Sequence, residues 1–270
     1  MPSKDSTDRR TLQNKSALVT GSTSGIGLGI AQALAREGAS VMLNGFGDPI
    51  EIERLRSDLA TETGAKILYH SADMTKPDDV LRLVRAAEGA FGAVDILVNN
   101  AGFQHVSPVE EFPLEQWTAL QNVILTAPFL AIKTALPGMK RRGWGRILNI
   151  ASGLGLIASP FKSAYVAAKH GQIGLTKTVA LEVAEKNITC NAICPGCVRT
   201  PLIEGQIAAQ AKIHQLPRER VISEVFLAIQ PNKRFIEVEE IAALAIFLCG
   251  ESARSITGAA ISIDGGWTAR

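Results

Sequence analysis

The chain has 270 residues, 46% of them hydrophobic and 20% charged, a balance that excludes a disordered polymer and supports a substantial core. A formal net charge of +2 leaves no electrostatic footprint for nucleic acid, and no uninterrupted apolar run has the length of a membrane span. The opening MPSKDSTDRR carries charge without an apolar centre and does not read as a secretory signal. Residues 1–12 are therefore expected to form a disordered tail, residues 13–270 a single domain, and the cytoplasm is the expected compartment.

From residue 16 onward, strand and helix patterns alternate. SALVT (16–20) is a short apolar run, and GIGLGIAQALAREG (25–38) has helical spacing closed by Gly38. SVMLN (40–44) predicts a second strand, followed by a helix around 50–62. KILYH (66–70) predicts a third strand, and 77–92 a helix opened by Pro77 and two acids. VDILVNN (94–100) predicts a fourth strand, 114–141 a long helix, and GRILNIAS (145–152) a fifth strand. A helix at 163–185, a strand at 187–193, a helix at 238–249 and a strand at 259–264 complete the pattern. Apolar strands joined by helices predict an α/β fold, a single doubly wound (Rossmann-type) parallel sheet with helices on both faces.

Two stretches admit more than one reading. Cys190, Cys194 and Cys197 lie close together, yet no matching Cys or His pair is nearby. They read as small buried apolar residues, as does Cys249, and no metal is expected. The polar stretch 202–236 interrupts the rhythm. It is either an ordinary insertion or a lid over a site, and a lid is the reading adopted.

Strand 16–20 runs into Thr20-Gly21-Ser22-Thr23-Ser24-Gly25-Ile26-Gly27. Glycines at a strand-to-helix junction let the backbone approach a pyrophosphate, and the free N–H groups of the helix start attract the anion. The spacing is G-x-x-x-G-x-G rather than G-x-G-x-x-G. Further on stand Ser152 at a strand end, Tyr165, and Lys169 one helical turn later. Residues i and i+4 share a helix face, so Tyr165 and Lys169 point into one cleft. A tyrosine titrates near ~10, and an adjacent ammonium is expected to lower that value and make a usable acid or base. Ser152 would steady the substrate oxygen, and Lys169 would also bind the nicotinamide ribose. A Tyr-x-x-x-Lys taken alone is also what a surface helix pair looks like.

The combination is more specific. TGSTSGIG (20–27), NNAG (99–102), Ser152, YVAAK (165–169) and PG (195–196) together resemble the short-chain dehydrogenase/reductase family over almost the whole chain. The resemblance implies a doubly wound fold, a nicotinamide cofactor and a homotetramer. It implies catalysis by Ser152, Tyr165 and Lys169. It implies cofactor contacts from Gly21, Thr23, Ser24, Gly25, Ile26, Gly27, Phe46, Asp73, Asn99, Ala101, Gly102, Pro195, Gly196, Val198 and Thr200. In it, Asp73 contacts adenine, Asn99 lies on the adenosine side, and Thr200 sits near the nicotinamide amide. Each of those three also has an ordinary reading as a cap or turn residue.

LNGFG (43–47), NNAGFQHVSPVEEFP (99–113), KSAYVAAKHG (162–171), TCNAICPG (189–196) and DGGWTAR (264–270) are similar to the 3-hydroxybutyrate dehydrogenase branch of that family. This implies a small 3-hydroxy acid or 3-oxo acid as substrate, with Gln104, Lys162 and Gln206 on its carboxylate and Ser152, Leu154 and Tyr165 around it. A cation with amide donors suits an oxoacid. The branch also implies NAD. The residues agree by omission, since Gly45-Phe46-Gly47-Asp48 offers no base for a 2′-phosphate, although Asn44 stands where an acid often marks NAD.

Three positions depart from the pattern. Ile124 replaces the family's helical asparagine, and Asn122, about 200° around the helix, is no substitute. Leu154 replaces a histidine that touches substrate, and Cys197 a tryptophan. Ile124 implies a weakened proton relay, an inactive protein, or a relay kept by backbone. In the last case Pro128, lacking an N–H, frees the carbonyl of Ile124 to hold the relay water; an unrelated kink is the plainer reading. Two other functions stay open: an NADPH-dependent 3-oxoacyl thioester reductase, and a non-catalytic nucleotide-binding subunit.

Overall fold

A computed structural model of the chain describes residues 10–269. Seven parallel strands form one sheet in the order β3-β2-β1-β4-β5-β6-β7. They are β1 Ser16–Val19, β2 Ser40–Asn44, β3 Ile67–His70, β4 Ile96–Asn99, β5 Gly145–Ile150, β6 Ile188–Pro195 and β7 Ala260–Ile263. The connecting helices are α1 Gly25–Arg36, α2 Pro49–Thr63, α3 Pro77–Phe91, α4 Leu114–Gln121, α5 Ala127–Arg142, α6 Ser163–Val183, α7 Pro201–His214, α8 Arg218–Val221 and α9 Val238–Cys249. The order reverses between β1 and β4, which opens a crevice at the strands' C-terminal ends.

Every residue of β1, β4, β5 and β6 is buried, because helices cover both faces of the sheet. Side chains alternate between the two faces. Leu18, Leu97, Ile147 and Cys190 pack into one core with α3, α5 and α6. Their neighbours Val19, Val98, Leu148 and Ile96 pack into the other with α1 and α9. Cys190 and Cys249 belong to these cores, and Cys194 lies with Ala151 and Ile173.

Local chemistry sets the helix ends. Asp48 caps α2 by accepting from the N–H groups of Ile50 and Glu51, and Gly64 closes it at φ 69°. Glu237 and Glu240 form a reciprocal capping box on α9.

One expectation needs correction, and two segments need description. The tail reading stops short of residue 12: Leu12 is 2% exposed and its N–H donates to Glu37 O, while residues 1–9 lie outside the described residues. The stretch 202–236 carries most of α7, all of α8 and a π-helical turn at Ile222–Phe226. Ile207, Val221, Leu227 and Phe235 close a small core of their own there, and a neck formed by Val198 and Ile236 joins the segment to the sheet domain. Finally, the long helix 114–142 is apolar and long enough to cross a membrane by length and composition, yet half of its most apolar window is buried. In this fold it is the core helix under β4 and β5.

That helix is also not continuous α-helix. Asn122–Thr126 form a π-helical turn in which Ala127 N–H donates to Asn122 O. Val123 O thereby loses its usual donor, and Pro128 has no N–H to offer Val123 or Ile124.

Candidate active site

The glycine turn after β1 is laced to the loop after β4. Thr20 Oγ1 accepts from the N–H groups of Asn100 (3.0 Å) and Ala101 (3.1 Å), and Asn100 Nδ2 donates to Thr20 O and Gly21 O, both at 2.9 Å. Gly21 N–H donates to Asn44 Oδ1 at 3.3 Å. Thr23 Oγ1 donates to Phe46 O at 2.9 Å, and Phe46 itself is largely exposed. Of the glycines at 21, 25 and 27, Gly27 permits the tightest approach: a Cβ there would lie 2.3 Å from Gly21 O. Thr200 stands beside Gly25 across the cleft, where a Cβ on Gly25 would lie 3.5 Å from Thr200 Cγ2.

These residues fit a dinucleotide pyrophosphate. Ser24 gives α1 no side-chain cap and the first turn holds no acid, so the leading N–H groups and the positive end of the helix are left for an anion. Beside this turn, Thr23, Phe46, Asp48, Arg54, Leu55 and Asp58 line a cavity of about 300 Å³. Arg54 is paired with Glu51. Asn44 is fully buried and its amide donates to His70 O and Ala72 O, which makes it a brace between strands.

On the far side of the crevice the three expected residues converge. Ser152 follows β5, and its Oγ accepts from Leu154 N–H at 3.1 Å. The Tyr165 hydroxyl is hydrogen-bonded to Ser152. Lys169 shares the helix face of Tyr165, with Nζ 5.6 Å from the phenol ring centroid. It is 3% exposed and donates to Ile150 O at 2.5 Å and to Gln172 Oε1 at 3.3 Å.

The electrostatics differ from the sequence expectation. Burial raises the Tyr165 pKa above its ordinary value, and only the Ser152 hydrogen bond opposes it. Lys169 does not lower it in this state. Burial holds the lysine itself down at about 7, with Cys194 opposing. Desolvation outweighs the attraction on which the sequence argument relied.

The remaining predicted residues divide. Asp73 Oδ1 accepts from Thr75 N–H and Oγ1, which lowers the Asp73 pKa; this is the turn role. Asn99 is not on an exposed adenosine side. It is 2% exposed and donates to Asn149 Oδ1 at 2.8 Å, while its own Oδ1 is buried without a partner. Thr200 Oγ1 caps α7 on Ile203 N–H, and Gly102 faces Ile124, where a Cβ would lie 3.6 Å from Ile124 Cγ1. Lys162 is partly buried beside Cys197, and burial lowers its pKa. Leu154 is 4% exposed, whereas Gln104 and Gln206 are exposed.

Sequence reasoning missed the braces. Asn100 ties two loops whose only sequence signal is a second amide after an apolar strand. Gln230 is fully buried; its Oε1 accepts from Cys197 N–H and its Nε2 donates to Arg234 O at 2.6 Å. It thus holds the Pro195-Gly196 turn to the end of the helical segment. Asn149 and Gln172 also escaped notice.

The chain is similar to known proteins over most of its length. Residues 21–268 match the family described as enoyl-(acyl carrier protein) reductase. The chain is 55% identical over 256 residues to D-beta-hydroxybutyrate dehydrogenase of Rhizobium meliloti (strain 1021), covering 95% of this chain and 99% of that one. It is 50% identical over 260 residues to the protein of the same name from Cupriavidus necator (strain ATCC 17699 / DSM 428 / KCTC 22496 / NCIMB 10442 / H16 / Stanier 337), covering 96% and 100%. The crystal structure of L-sorbose reductase from Gluconobacter frateurii, complexed with NADPH and L-sorbose, superimposes with a TM-score of 0.92 at 31% identity, covering 97% of this chain and 100% of that one.

Proposed function

Because this chain belongs to the short-chain dehydrogenase/reductase family, oxidoreductases that use a nicotinamide cofactor, we propose that it interconverts a small D-3-hydroxy acid and its 3-oxo acid with NAD. The observation that carries the reading is the meeting of Ser152, Tyr165 and Lys169 across the crevice from an uncapped, glycine-lined helix start. A nicotinamide held at this helix start would supply the hydride acceptor for oxidation and the donor for reduction. Ser152 steadies the substrate oxygen, and Tyr165 takes the hydroxyl proton during oxidation or returns it during reduction. Lys169 holds the ribose and, while protonated, favours the phenolate. Lys162 and Gln104, joined by Gln206 on the helical segment 202–236 acting as a lid, bind the carboxylate.

Ile124 does not abolish the relay in this reading. The π-helical turn and Pro128 leave the carbonyls of Val123 and Ile124 without their α-helical donors, which supports a backbone-held water leading to Lys169. The absence of turnover for every hydroxy acid, with cofactor still binding, would instead indicate a nucleotide-binding subunit.

NAD is supported by the charge around the adenosine cavity. Asp48, Glu51 and Asp58 stand there, and the one base, Arg54, is engaged by Glu51. Arg54 was not foreseen from the sequence, and its pairing leaves the sign of the argument unchanged. We expect kcat/KM for NAD to exceed that for NADP by about tenfold or more, since each ~1.4 kcal/mol is a factor of ten. A cofactor titration checks this; a preference for NADPH favours the thioester reductase.

Leu154 sets the substrate preference. It makes the pocket more apolar and removes a donor, so longer 3-hydroxy acids should equal or exceed 3-hydroxybutyrate in kcat/KM. Leu154→His should then improve 3-hydroxybutyrate by about tenfold, as a hydrogen bond to a charged group contributes roughly 1.5–3 kcal/mol. A parent protein that clearly prefers 3-hydroxybutyrate contradicts this. A homotetramer and a cytoplasmic location complete the proposal, both resting on the family resemblance.

A further inference from the structure

Lys169 is held by more than the Ile150 carbonyl. Gln172 lies three residues on, on the same side of α6, and is 1% exposed. A buried amide is costly unless it is hydrogen-bonded, and here its Oε1 accepts from Lys169 Nζ at 3.3 Å. The turn of α6 that carries it is anchored to the sheet. Thr176 Oγ1 donates to Gln172 O, Asn149 Nδ2 donates to Thr176 Oγ1, and Asn99 Nδ2 donates to Asn149 Oδ1, each at 2.8 Å. The π-helical turn packed across α6 buries Val123 and Ile124, neither of which has a polar side chain for the lysine.

We propose that Gln172 is a positioning residue, whose side-chain oxygen is the second acceptor that orients Lys169 and keeps it protonated in the catalytic crevice. The inference rests on the functional reading above only for the use made of Lys169. A lysine side chain has many rotamers to lose, so two acceptors, one on β5 and one on α6, fix its ammonium where a single one leaves it free to swing. The groups facing Lys169 are few. Tyr165 and Gln172 come from its own helix, the Ile150 carbonyl from β5 and the Cys194 thiol from β6. Asp264 lies behind Cys194, with its carboxylate taken up by Gly266 and Thr268. Burial raises the Cys194 pKa to about 11, so this thiol is neutral at working pH. Gln172 is the side chain that accepts a hydrogen bond from the lysine.

The test uses Gln172→Met, which keeps the volume and loses the acceptor, and Gln172→Glu, which keeps the acceptor and adds charge. NADH affinity is measured by fluorescence across pH, together with the pH profile of kcat/KM where there is turnover. Losing the acceptor disfavours the protonated lysine, so in Gln172→Met the alkaline loss of NADH affinity should move to lower pH by about one pH unit. In Gln172→Glu it should move to higher pH. A merely structural role lowers affinity or stability in both variants and does not move the limb in opposite directions. Unchanged limbs, or shifts in the same direction, overturn the proposal. A parent that binds NADH but turns over no hydroxy acid defeats the functional reading and leaves this binding test decisive.

Discussion

Tyr165→Phe should lower kcat/KM for hydroxy acid oxidation by about 10²–10⁴-fold, the usual contribution of a positioned general acid or base, and leave NADH affinity nearly unchanged. The ring is partly buried against the core that includes Ala164 and Ala168, and phenylalanine preserves that packing. Only the hydroxyl bonded to Ser152 is lost, and with it the group placed to take the substrate proton. The sign of the pH effect follows. Oxidation needs the deprotonated phenol, whose pKa burial raises, so parent activity in the oxidative direction should climb with pH. That acid limb should vanish in the variant. Measuring kcat/KM across pH for both proteins, with NADH titration as control, checks the assignment. A variant that keeps most of the parent activity and the same limb shows that Tyr165 is not the proton carrier.

Gly27→Ala should cost at least about 100-fold in cofactor affinity, roughly 2.7 kcal/mol, and lower the melting temperature. The added Cβ would sit 2.3 Å from Gly21 O and 2.4 Å from Asn100 Nδ2. The carbonyl is backbone, and the amide is held by Thr20 O as well as Gly21 O, so neither can yield without opening the turn that faces the pyrophosphate. Overpacking of this kind typically costs 1–3 kcal/mol. Gly89→Ala is the control. Gly89 is exposed in α3 with nothing within 4 Å of its would-be Cβ, and alanine there should stabilise the helix by up to about 1 kcal/mol. Equal losses in the two variants would mean that Gly27 is not special, and that the cradle is not built by close approach.

The sheet and its helices were legible because periodicity is local. Fully apolar strands such as ILVN, and helices opened by Asp48 or Pro77, carry their assignment in a few neighbouring residues. The helices within 202–236 went unassigned although Ile203, Ile207 and Ala211 recur every four residues, a helical signal hidden among charges. The π-helical turn left one mark in the sequence, Pro128, which shows a missing donor but not how the turn rearranges around it.

The site was legible as a set of residue types but not as an electrostatic state. Tyr165 and Lys169 share a face as i and i+4 require. What burial does to their proton affinities depends on packing from β5, β6 and the loop after Ser152, which no local pattern encodes. Partnerships across 50 residues, as between Asn99 and Asn149, or 33, as between Cys197 and Gln230, are invisible for the same reason. Asn99 looked like a cofactor ligand on motif position alone, and in the fold it is a buried brace with one oxygen left over.

The most direct test is the appearance of NADH when the protein is mixed with NAD and a panel of D-3-hydroxy acids of increasing chain length. The expected result is turnover of at least one short member, and none when Tyr165 is phenylalanine. Bound cofactor with no NADH formed from any member would contradict the proposal that this cleft carries out hydride exchange with hydroxy acids.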